Sequence, residues 1–183
     1  MHPQLAAIVD EFDAAQRRLH RLAERVPEDA WARRPDPRRW SVGECVEHLN
    51  LTARAFLPRL RDGLAEARRI GGPAPARHRR DVLGWLLWRT LPPPVRIAKS
   101  RTLAPFVPSG RLPPAELLAD FDRLQAEQIA LVESADGLPL GRVRIASPFA
   151  EKVRYDLFSA LSILPRHQER HVWQAEQVLA GIR

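Results

Sequence analysis

The chain has 183 residues, 45% hydrophobic and 28% charged, an ordinary globular composition that one domain spanning residues 1–183 can bury around a single core. Its lone cysteine, Cys45, excludes an intramolecular disulfide, and no run approaches the roughly 20 apolar residues of a membrane span, so a soluble cytoplasmic protein with no membrane contact is expected. The formal net charge of +7 invites nucleic-acid binding. However, the excess is arginine dispersed in pairs such as Arg33-Arg34 and Arg79-Arg80, with no binding signature beside them, and no nucleic-acid partner is expected.

Leu5, Ile8, Phe12, Ala15, Leu19, Leu22 and Val26 recur at intervals of three and four, which predicts an amphipathic helix ending before Pro27. No basic-then-apolar leader precedes that stripe, so no secretory signal is expected. Pro27 to Trp40 is a connector anchored by Trp31 and Trp40. Ser41 and Glu44 then form a capping box at the start of a second helix, with Trp40 placed to cover its first turn. That helix runs through Val42, Cys45, Leu49, Thr52, Phe56, Leu60 and Leu64 to about Ile70, kinked rather than ended by Pro58, and closes at Gly71-Gly72. His48 falls beside its apolar seam, and Cys45 reads as a small buried hydrophobe.

Residues 71–112 are rich in proline and leave room for one short apolar helix, Val82 to Leu91. Its Trp85, Leu86, Leu87 and Trp88 must be covered, by the rest of the domain or by a second copy. A loop of this length in a compact domain often lines a pocket. Pro113-Pro114 opens the next helix, whose inner stripe is Leu117, Phe121, Leu124, Gln128 and Leu131. A second connector, Pro139 to Arg154, contains the alternation Val143-Arg144-Ile145-Ala146, too short to demand a sheet. Asp156 caps a final helix from Leu157 to about Leu179, with Gly181 beyond it and Pro165 bending it just before His167.

In that last helix Ala160, Leu164, His167, His171, Gln174 and Val178 follow the rhythm of a core-facing seam. His167 and His171 are four residues apart and point within roughly 40° of each other, close enough to share one small cation. The zinc-protease signature is missing, because Gln168 stands where the general base belongs and Glu169 comes one place late. The elements add up to an all-α fold, a four-helix bundle with a long Pro-rich crossover carrying a short extra helix. Bundle cores build metal sites from facing helices, and one such site would take His48, His167 and His171.

The pattern Trp40-Ser41-x-x-Glu44-x-x-x-His48-Leu49, then His167-x-x-Arg170-His171-x-x-Gln174, resembles the DinB/YfiT-like superfamily of metalloenzymes. The likeness spans nearly the whole chain, including Pro105-Phe-Val-Pro-Ser109 in the crossover. The resemblance implies a four-helix bundle, often a homodimer, with His48, His167 and His171 holding zinc or nickel. Characterised branches use low-molecular-weight thiols such as bacillithiol or mycothiol, for S-transfer or isomerisation of small-molecule substrates. Three neutral imidazoles leave a divalent ion with an open position, where a thiol sheds its proton readily. Thiol S-transfer to a small electrophile is therefore the expected activity. A metal-dependent hydrolase and a non-catalytic metal- or ligand-binding dimer are the alternatives. Glu44 and Gln174, one turn from the ligands, are candidates for orienting the ligand rings.

Overall fold

The computed structural model describes residues 1–93 and 102–181 and is mostly helical. Its elements are α1 (Pro3–Ala23), α2 (Val42–Ile70), α3 (Val82–Thr90), α4 (Pro114–Glu133), β1 (Arg144–Ser147), β2 (Ala150–Asp156) and α5 (Leu157–Gly181). Single 3-10 turns lie at Glu28–Ala30, Ala104–Phe106 and Leu140–Arg142. No helix among the described residues is long and apolar enough to cross a membrane.

The four long helices pack side by side, α2 against α4 and α5, and α1 against the same two. Leu5 and Ile8 of α1 share a cluster with Leu60 and Leu64 of α2 and with Leu157 and Leu161 of α5. Leu19 and Leu22 pack instead with Val42 and Val46 and with Val172 and Val178. Hence α1 and α5 run the same way and α2 runs against them. Arg54, Arg61 and Arg68 of α2 reach Asp120, Glu127 and the Ser134 carbonyl of α4, so these two helices are parallel and in step. Parallel neighbours cannot be joined by a tight turn, and residues 71–113 lie between these two helices in the chain. The Pro-rich crossover expected there falls partly on residues 94–101, which lie outside the described residues.

The stripe residues read from the sequence are buried along α1, and the capping box of Ser41 and Glu44 is formed. Both α2 and α5 continue unbroken through their internal prolines, Pro58 and Pro165. Asp156 caps α5 by accepting the Ser159 N–H at 2.6 Å, and the helix extends through Gly181 rather than stopping before it.

The all-α expectation holds broadly, and among the described residues the second connector adds a small sheet that its alternation did not demand. Arg144–Ser147 pairs antiparallel with Ala150–Asp156, with a register shift between Ala146 and Ser147, so the fold is not wholly helical. Four residues of alternation would not hold alone. Ile145 opposite Tyr155 (6% and 2% exposed) gives the pair a buried face against the helices, which a reading of one strand in isolation cannot supply.

Candidate metal centre

α2 and α5 face each other across the start of α2. There the rings of His48 and His171 lie 4.5 Å apart between centroids, His167 and His171 4.5 Å, and His48 and His167 5.3 Å. One ring nitrogen from each lies within 4.8 Å of the others, and among the described residues this is the group able to hold a metal ion. Donors around a tetrahedral ion with bonds of about 2.1 Å stand about 3.4 Å apart, so small ring rotations suffice. His48 is 3% exposed and His171 8%, while His167 keeps part of its edge accessible.

The donor chemistry fits a divalent cation. His48 Nδ1 lies 2.8 Å from the Phe106 carbonyl oxygen, which can only accept; Nδ1 therefore carries the proton and Nε2 keeps its lone pair. His171 Nδ1 is buried with no hydrogen-bond partner, a state that costs about 1–3 kcal/mol and that a bound ion can relieve. Aromatic rings wall the cluster. Trp40 stands 4.8 Å from His48 and 5.9 Å from His171, and Phe149 stands 6.0 Å from His167 and 4.4 Å from Phe106.

A family model described as the DinB superfamily matches residues 11–175. The chain belongs to the DinB superfamily. No curated protein and no solved structure gives a significant match to it.

In this DinB-superfamily chain, burial and neighbouring charge disfavour protonation of the cluster. Desolvation first, then the repulsion a protonated His48 would exert and that of Arg170, keeps His167 well below the usual histidine range. His171 is depressed in the same way, by burial first, then His167, His48 and Arg170. Burial lowers His48 too; the Phe106 carbonyl opposes that fall and Arg170 adds to it. All three imidazoles are thus neutral at pH 7, with lone pairs available.

Gln174 is near enough to His171 to counter part of its depression, without the geometry of a hydrogen bond to Nδ1. Glu44 is committed elsewhere. Its carboxylate accepts the Ser41 N–H at 2.8 Å and pairs with Arg34, and among the described residues it bonds to no histidine. Cys45 is 1% exposed, burial pushes its thiol up, and it stands outside the cluster. His20 pairs at the surface with Asp122.

The residues missed from the sequence are the Phe106 carbonyl and the Phe149 ring. Phe106 lies in the Pro105–Ser109 stretch already singled out by resemblance, but a backbone acceptor leaves no side-chain signature. Phe149 lies in the turn of the unexpected hairpin.

Proposed function

We propose that the protein is a metal-dependent enzyme in which His48, His167 and His171 hold one zinc or nickel ion and a low-molecular-weight thiol is transferred to a small electrophile. The observation that carries this reading is the convergence of three imidazoles from two helices, two buried and one partly buried, each with its protonation disfavoured. When bound, a divalent ion on such ligands keeps an open coordination position and lowers the pKa of a thiol placed there. The chain's own residues do the rest. Phe106 keeps His48 in one tautomer, and Trp40 and Phe149 limit the access of water. Arg170 brings a half-buried positive charge that favours a thiolate over a thiol. Gln174 supports the His171 ring, while Glu44 acts only by fixing the start of α2. We read the four packed helices as a four-helix bundle closed by the long crossover. We also read the exposed Val82, Trp85 and Leu86 of α3 as the face of a homodimer.

Metal content by mass spectrometry on untagged protein tests the centre. About one ion per chain is expected, lost in both His48→Ala and His171→Ala while circular dichroism shows both variants folded. Cobalt-substituted protein should then change its visible spectrum on adding a thiol. Absence of metal after loading with zinc and nickel would sink the reading.

A further inference from the structure

The cluster is held on one side by a segment with little structure of its own. Between Leu103 and Gly110 the backbone makes one 3-10 turn, through Phe106 N–H to Leu103 and Val107 N–H to Ala104. What fixes this segment to α2 is a pair of consecutive residues. His48 donates from Nδ1 to the Phe106 carbonyl at 2.8 Å. Glu47, one position earlier, accepts the Ser109 N–H on Oε1 and the Gly110 N–H on Oε2, both at 2.9 Å. Successive helical residues point about 100° apart, so the two side chains grip the segment at separate points.

Glu47 is 7% exposed, and among the described residues no basic side chain pairs with it. Burying a carboxylate is costly unless its oxygens are satisfied, and two charge-assisted backbone bonds are what satisfy this one. Gly110 adopts φ +68°, which turns its N–H toward α2 at a conformation few other residues adopt. Phe106, 3% exposed and 4.4 Å from Phe149, completes the contact.

We propose that Glu47 is a positioning residue for the histidine cluster: it clamps Ser109 and Gly110 so that the Phe106 carbonyl stays where it fixes the His48 ring and tautomer. The proposal rests on the metal reading for its consequence, not for its geometry. Without the clamp the Phe106 carbonyl drifts, His48 samples both tautomers, and Nε2 no longer points steadily into the cluster. Loss of the group that orients a ligating histidine typically weakens metal binding 10–100-fold.

The test compares wild type with Glu47→Gln, which keeps the side chain's size but turns an NH2 toward a backbone N–H. Nitrogen-15 chemical shifts report the His48 tautomer in metal-free protein, and competition with a chromophoric chelator gives the zinc Kd. Wild type should show one Nδ1–H tautomer. Glu47→Gln should show a mixture and a zinc Kd weaker by about 10–100-fold, at unchanged stoichiometry and with a urea midpoint near wild type. An unchanged His48 tautomer overturns the proposal whatever happens to zinc. So does a loss of affinity that merely tracks global unfolding of the variant. A wild type that takes up no zinc would sink the metal reading alone, since the tautomer still tests Glu47.

Discussion

Arg170 faces a site that is otherwise neutral, and its charge depresses all three histidines, although burial is the larger cause for each. Desolvation weakens its own hold on its proton, and among the described residues it has no carboxylate partner. Removing its charge should therefore recover part of the depression and not all of it. In metal-free Arg170→Gln, His48, His167 and His171 should titrate at higher pH than in wild type, followed by their ring proton shifts in NMR. Unmoved titrations would show that burial alone sets the ligand state. The convergence of His167 with His171 was legible because spacing on a helix is a strong geometric constraint and needs nothing beyond the period. The sequence left the role of His48 open, since a single histidine beside a seam has no partner until α2 and α5 are packed. The Phe106 carbonyl was illegible for a different reason: every residue carries such a group, and only the path of the chain chooses one.

At the scale of elements, α3 illustrates how a short apolar helix is held. Its first turn and that of α5 are joined by two aspartates. Asp81 caps Gly84 and accepts from the Asp156 N–H, while Asp156 caps Ser159 and accepts from the Asp81 N–H. The two backbones approach so closely that a Cβ on Gly84 would stand 2.1 Å from Ser159 Oγ and 2.2 Å from Ser159 Cβ. Alanine in place of glycine gains about 1 kcal/mol of helix propensity, but overpacking at such distances costs about 1–3 kcal/mol and more when a backbone must shift. Gly84→Ala should accordingly lower the urea midpoint, and adding Ser159→Gly should restore part of the loss. A stable single variant would mean that α3 is not docked at this point. The sequence identified α3 as a helix needing cover and placed its range within a residue. The expected cover is only partial, since Trp85 and Leu86 stay exposed. Nothing in the sequence showed where α3 docks, because the decisive residue is a glycine whose side chain is absent. The hairpin was hidden for a related reason. Ile145 and Tyr155 each look unremarkable in their own strand, and only their pairing across ten residues gives the sheet a buried face.

For the whole molecule, the distribution of depressed histidines sets how stability responds to acid. His48, His167 and His171 are joined by His78, which is 3% exposed with both ring nitrogens unpartnered; burial lowers it first, then the nearby His2, against the pull of Asp136. Each of the four binds its proton less readily folded than unfolded, so the unfolded chain takes up more protons as the pH falls. Stability is therefore complete above the unfolded histidine value of about 6.5 and declines below it, until the pH reaches the depressed folded values. Each histidine contributes a slope of up to about 1.4 kcal/mol per pH unit in that window. Glu11 and Asp156 act the other way. Desolvation raises both carboxyls, against Arg166 and Arg80 at Glu11 and against the Ser159 and Asp81 donors at Asp156. Their effect has the opposite sign and opposes the histidine contribution as the carboxyls take up protons. Metal-free protein should thus lose urea resistance steeply between pH 7 and pH 5.5. Protein loaded with zinc should resist over the same range, because three of the four protons must then displace an ion. A flat urea midpoint across that interval in metal-free protein would mean that the cluster opens to water before it protonates, and the neutral ligand state would then have to be supplied by the metal rather than by the fold.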